Sequence, residues 1–256
     1  MTTIAVRGSS VDVPTADGVA DAYLAHPEDG RAHPGVLLYM NAFGLRPVLE
    51  SMADRLAAEG YTVLVPNVFY RYGRAPLVEL PAPPALISTR TDPTLFERLG
   101  PMMDSLTPGI VARDAGAYLR WLADSPAVAD GPVGITGYCL GADLALRTAA
   151  AHPDRVAAAA GFHGGLLATA EPDSPHLLAE RVRAELYFGH ADQDPSLPVE
   201  QIDRLAKSFA DAGLRYTCEV YRGAPHGFTQ ADTASYHPEA DARHWAALLA
   251  LLERSL

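Results

Sequence analysis

Pro132-Val133-Gly134-Ile135-Thr136-Gly137-Tyr138-Cys139-Leu140-Gly141 begins as a short apolar run and ends with two glycines that bracket a cysteine. Residues 132–136 read as a short strand, and Leu140, Leu144 and Ala145 then fall at helical spacing. The pentapeptide 137–141 therefore predicts a sharp strand-to-helix turn. Such a turn strains the residue at its tip and brings backbone close on either side, which explains glycine at 137 and 141. The tip side chain is lifted to the carboxyl edge of the sheet. It also sits at a helix N-terminus, whose partial positive charge favours thiolate over thiol, the reactive form. Cys139 is the candidate nucleophile.

Outward from this turn the chain alternates strands and helices. Apolar, β-rich runs recur at residues 35–40, 61–65, 156–162, 184–188 and 216–221, and several read as buried on both faces. Residues 11–13 and 19–24 flank the turn signal Asp17-Gly18 and predict two short antiparallel strands at a sheet edge. Helical stripes lie between the later runs. Val48, Leu49, Met52 and Leu56 form one between Pro47 and Gly60, and Val111, Ala115, Tyr118, Leu119 and Leu122 form the next. Val199, Ile202, Leu205, Ala206 and Phe209 form a third, and Trp245, Leu248, Leu249 and Leu252 the last. Strands joined by helices require right-handed crossovers and a mostly parallel sheet with helices on both faces. In such a sheet ligands bind beyond the carboxyl ends of the strands. Two long irregular stretches, 67–93 and 164–180, are candidate walls or lids of a pocket. No linker or repeat interrupts the pattern, which predicts a single domain over residues 1–256.

A thiol nucleophile at such a turn needs an imidazole that reaches the sulfur and a carboxylate that fixes that imidazole, in the chain order nucleophile, acid, histidine. The strand at 184–188 runs into Gly189-His190-Ala191-Asp192-Gln193-Asp194-Pro195, and the strand at 216–221 into Gly223-Ala224-Pro225-His226-Gly227-Phe228. His226 is the best base among nine histidines. Asp194 is the preferred acid, with Asp192 as the alternative. His163 and His190 also follow strands and are candidate pocket residues. Oxyanion donors should come from the residue after the nucleophile and from the loop after an earlier strand, which points to the Leu140 and Ala42 amides.

Composition narrows the rest. Twenty basic against 31 acidic residues give a net charge of −11, which argues against nucleic acid and acidic membrane surfaces as partners. No apolar run reaches the length of a membrane span, and the first residues lack a signal-peptide pattern, so the expectation is a cytoplasmic protein. Its expected partner is a small molecule, and its expected state a monomer or small homo-oligomer. The two cysteines, Cys139 and Cys218, are too few for a disulfide framework or a thiolate metal site. Cys218 alternates within a strand and is assigned to packing. His237 and His244 make only a weak metal pair, and neither a phosphate loop nor a dinucleotide glycine fingerprint follows any strand. No metal and no cofactor are expected.

With these residues assembled, the chain resembles the dienelactone hydrolase family of α/β-hydrolases across nearly its whole length. Gly137-Tyr138-Cys139-Leu140-Gly141 is similar to that family's cysteine elbow, Ala224-Pro225-His226-Gly227-Phe228 to its histidine motif and Asn41-Ala42-Phe43-Gly44 to its oxyanion loop. The resemblance implies an α/β-hydrolase fold, a triad of Cys139, Asp194 and His226, and ester or lactone hydrolysis through a thioester acyl-enzyme. It also implies a substrate-binding role for Arg71, on a substrate carboxylate. Two positions depart from the family pattern. Asn41 stands where the founding enzymes carry a glutamate that helps activate the thiol, and Gln230 stands where a second carboxylate-binding arginine would be expected. Asn41 cannot accept a proton but can position thiol or substrate by hydrogen bonding. The reading from a different class is a ligand-binding or thiol-sensing protein on the same fold without turnover.

Overall fold

The short apolar runs become strands because both of their faces are covered. In the computed structural model, which describes residues 5–78, 94–192 and 194–256, every residue of β3 (Gly35–Tyr39), β4 (Thr62–Pro66) and β5 (Val133–Tyr138) is buried. These central strands are flanked on one side by β1 (Val6–Thr15) and β2 (Gly18–Pro27). On the other side lie β6 (Val156–Phe162), β7 (Glu185–Ala191) and β8 (Tyr216–Tyr221). The order across the sheet is β1-β2-β4-β3-β5-β6-β7-β8. β1 and β2 form a hairpin joined antiparallel to β4, and all pairs from β4 to β8 are parallel. The hairpin was expected to lie at the edge, but only β1 does. Both of its strands are longer than the apolar pattern suggests, because backbone pairing over ten registers continues through polar residues.

Crossover helices α1 (Pro47–Ala58), α3 (Pro108–Asp124), α4 (Leu140–Ala151) and α5 (Val199–Asp211) connect the parallel strands, and α6 (Pro238–Ser255) follows β8. Two glycines of β5 reveal the layers. A Cβ on Gly134 would lie 2.4 Å from Leu252 of α6, and one on Gly137, of opposite strand parity, 1.9 Å from the Gly141 carbonyl oxygen of α4. Helices therefore cover both faces, the arrangement that the resemblance implies. α1 joins α6 on its side, with the Arg55 guanidinium 4.1 Å from the Trp245 ring centroid. Among the described residues, no helix is long and apolar enough to cross a membrane.

Three departures from the expected elements have physical causes. Helix α2 (Leu95–Asp104) was not anticipated; it buries Leu95, Leu99 and Met102 despite an internal proline. The α5 stripe is narrower than expected, with only Leu205 and Phe209 buried, and Val199 faces solvent at the first turn. Residues 164–180 are not wholly irregular, since a 3-10 helix at Pro175–Arg181 packs against α4 and α5. Of the other expected wall, 67–93, residues 79–93 lie outside the described residues. Its first part is tied down by Asn67, whose side-chain nitrogen donates to Asp21 at 2.9 Å and to the Gly73 carbonyl at 3.0 Å.

Candidate active site

β5 delivers Cys139 to the carboxyl edge of the sheet through the predicted turn. Its backbone stands at φ 54°, ψ −112°, a strained setting for a side-chain-bearing residue, and it forms the N-cap of α4. Neighbouring backbone holds it there. The Cys139 N–H donates to the Phe162 carbonyl at 3.0 Å, and a Cβ at position 141 would come within 2.6 Å of the Tyr39 carbonyl oxygen. Small residues at 137 and 141 thus let the end of β3 and the start of α4 meet around the thiol.

His226, in the loop after β8, and Asp194, in the loop after β7, converge on this point. His226 Nδ1 lies 2.5 Å from Asp194 Oδ2, which assigns the Nδ1 proton to that bond and leaves Nε2 for the sulfur. Asp194 is buried, and its other oxygen accepts from the Ser196 N–H at 2.9 Å and hydroxyl at 2.6 Å. Ser196 is not among the residues expected from sequence, although Asp194-Pro195-Ser196 is a pattern suited to a carboxylate that bonds the amide two residues on. Asp192 instead accepts from the Gly223 N–H at 2.9 Å and so joins the two loops.

The electrostatics follow from this packing. Burial acts to raise the Cys139 thiol, but the charge and hydrogen bond of His226, with bonds from the Leu140 and Ala42 amides, outweigh it and hold the thiol below its ordinary range. For His226, burial favours the neutral ring, and Cys139 and Asp194 overcome it to raise the imidazole to about 10. Asp194 is held below the usual carboxylate range, burial being outweighed by His226 and Ser196. The arrangement favours a thiolate–imidazolium pair with two backbone donors on the sulfur.

The remaining histidines have other settings. His163 is fully buried at φ 40°, with its ring 5.3 Å edge-on from that of His226 and its Nε2 2.8 Å from the Thr229 hydroxyl. Burial pushes it well below the ordinary histidine range, so the ring is neutral. His190, also buried, is pushed down to about 4 by burial, against the pull of Asp194. His244 bonds Tyr138 at 3.0 Å and Asp241 at 3.1 Å, and His237 caps α6 by accepting from the Ala240 N–H. Cys218 lies in β8, where burial pushes its thiol up to about 12.

Asn41 and Arg71 occupy unexpected surroundings. Asn41 Oδ1 accepts from Arg46 Nη1 at 2.7 Å and from the Phe43 N–H at 3.3 Å, so its Nδ2 amide is the end left for a ligand. Arg71, for which the resemblance implies a substrate carboxylate, is paired with carboxylates of the protein itself. Its guanidinium donates twice to Asp114, at 2.7 and 2.9 Å, and also to Asp17 at 2.7 Å, and it lies 4.4 Å from the Tyr70 ring centroid. Two carboxylates of the protein already occupy the fork that would bind a substrate carboxylate. Both Asp114 and Asp17 sat far away in sequence, in a helix stripe and a hairpin turn, and nothing in the pattern linked them to position 71.

The family model described as the dienelactone hydrolase family matches residues 20–256. A carboxymethylenebutenolidase of Rhodococcus opacus is 29% identical over 237 residues, covering 91% of this chain and 86% of its own. A Bradyrhizobium protein named as a probable 2-oxo-3-(5-oxofuran-2-ylidene)propanoate lactonase is 26% identical over 96% of this chain and 93% of its own. Among solved structures, a Klebsiella pneumoniae protein assigned as a dienelactone hydrolase superposes with a TM-score of 0.83 at 24% identity, covering 97% of this chain and 99% of its own.

Proposed function

The chain belongs to the dienelactone hydrolase family, and from that premise we propose that it hydrolyses carboxylic esters or lactones by a Cys139–His226–Asp194 triad. The observation that carries this reading is the convergence of three loops on one sulfur. Cys139 at its strained turn is met by His226, which Asp194 holds at 2.5 Å, and by the Ala42 and Leu140 amides.

In the proposed reaction the Cys139 thiolate attacks the carbonyl carbon, forming the C–S bond, and the oxyanion takes up the Ala42 and Leu140 N–H groups. Collapse breaks the C–O bond to the leaving alcohol, which receives the His226 proton. The neutral imidazole then takes a proton from water, whose oxygen attacks the thioester. Cleavage of C–S releases the acid and restores the thiolate–imidazolium pair. Asp194 stabilises the imidazolium and keeps its tautomer without itself gaining the proton. Asn41 would bind substrate through its Nδ2 amide, donating to an acceptor near the oxyanion.

The test is steady-state hydrolysis of p-nitrophenyl acetate by wild type, Cys139→Ala and His226→Gln. Both variants should lose at least about 10³-fold in kcat/KM. Wild-type rates in Cys139→Ala would refute the reading.

A further inference from the structure

The buried guanidinium of Arg46 belongs to no step of that reaction, yet it touches both loops that build the site. Arg46 lies just before α1, and its side chain is 3% exposed. Nη1 donates to Asn41 Oδ1 at 2.7 Å and to the Gly44 carbonyl at 3.1 Å, so one nitrogen holds both ends of the turn that presents the Ala42 amide. Nε and Nη2 donate to Asp232 at 2.7 and 3.0 Å, and Nη2 also to Gln230 Oε1 at 3.0 Å. These partners lie on the segment that follows His226. The guanidinium plane also sits 5.6 Å from the Phe43 ring centroid.

The turn at 41–44 needs such a brace. Its own closure consists of the Gly44 N–H bond to the Asn41 carbonyl at 3.1 Å and the long Phe43 bond to Asn41 Oδ1. A two-bond turn at the end of a strand would leave the Ala42 amide free to swing, and an oxyanion donor acts only when it is held before charge develops. Removing a buried arginine from so many acceptors would leave Asn41, Gly44, Gln230 and Asp232 underbonded together. A burden of that size, placed beside the nucleophile, points to positioning rather than to general stability.

We infer that Arg46 is a positioning residue that fixes the Ala42 oxyanion donor by clamping residues 41–44 to Gln230 and Asp232. The inference rests on the hydrolase reading above. It separates two properties of Cys139: nucleophilicity of the thiolate, set mainly by His226, with the Ala42 amide the smallest of the influences that lower the thiol, and stabilisation of an acyl oxyanion, which depends on the clamped turn. Arg46 acts on the second. Lysine cannot replace it, because a single ammonium cannot span acceptors on both sides as a planar fork does.

The experiment compares two reactions of the same sulfur. Alkylation by iodoacetamide needs the thiolate but forms no oxyanion, whereas acylation by p-nitrophenyl acetate needs both. In Arg46→Lys and Arg46→Gln, alkylation should stay within about threefold of wild type while acylation and kcat fall about ten- to a hundredfold, with KM changing less. Asp232→Asn, at the more exposed end of the clamp, should show the same split more weakly, and it carries the test if the Arg46 variants do not fold. Acylation kept near the wild-type rate would overturn the inference, as would alkylation and acylation falling together. A wild-type enzyme that alkylates but never acylates would instead overturn the hydrolase reading and this inference with it.

Discussion

At the residue scale, the site depends on a thiol whose ionisation is set by its neighbours. Burial alone would make Cys139 a poor nucleophile; His226 and the two amides reverse that effect. Because the folded thiol is held below its ordinary range, the thiolate fraction rises with pH at lower values than for a free thiol. Iodoacetamide alkylation of the wild type should therefore level off below the pH at which a cysteine peptide does. In His226→Gln the largest opposing influence is lost while burial stays, so the midpoint should move to higher pH; an unmoved midpoint would show that the imidazole does not act on the sulfur. Asp194→Asn keeps the shape of the carboxylate but offers no charge to the imidazolium and permits the wrong tautomer. Turnover of p-nitrophenyl acetate should fall on the order of 10²–10⁴-fold, with the fold intact by circular dichroism. Asp192→Asn, by contrast, should retain turnover within about fivefold, since its oxygen serves the Gly223 backbone.

At the scale of the element, the decisive piece is the β5–α4 turn, and its legibility had a steric origin. Glycine at 137 and 141 leaves a mark in the sequence because any Cβ there would strike backbone that cannot yield: the Gly141 carbonyl in one case, those of Tyr39 and Met40 in the other. Gly137→Ala should consequently cost more than about 4 kcal/mol or prevent folding, measured by urea denaturation; a variant of wild-type stability would contradict the packing described for the turn. The meeting of His226 with Asp194 was legible for a related reason, because each stands just past a strand whose apolar run is easily read. Arg46 and Ser196 were not. A buried arginine looks like any surface arginine in one dimension, and its partners Gln230 and Asp232 are more than 180 residues away. Arg71 illustrates the converse: the family resemblance implied a role for it, but its partners came from a hairpin turn and a helix that no local pattern joins to it.

At the scale of the whole molecule, the same eight-stranded sheet supplies each participant. β3 leads to the turn that carries Ala42, β5 to Cys139, β7 to Asp194 and β8 to His226, so the proposed site is assembled only when the order β3-β5-β6-β7-β8 is complete. The parallel core was readable from runs apolar on both faces, whereas the full length of β1 and β2 was not, since hairpin pairing extends through polar positions. Among the described residues, most of the buried apolar side chains form one continuous cluster reaching from Val13 in β1 to Leu252 in α6. We therefore expect one heat-absorption peak in scanning calorimetry, with activity lost across the same interval; two separate peaks would speak for two independently folding parts. Covalent catalysis at Cys139 can be read out by acid-quenching the protein during turnover of p-nitrophenyl acetate and measuring its intact mass. The expected result is one added acetyl group on the wild type, mapped by peptide digestion to Cys139 and absent from Cys139→Ala. Turnover with no adduct at Cys139, undiminished in Cys139→Ala, would contradict it.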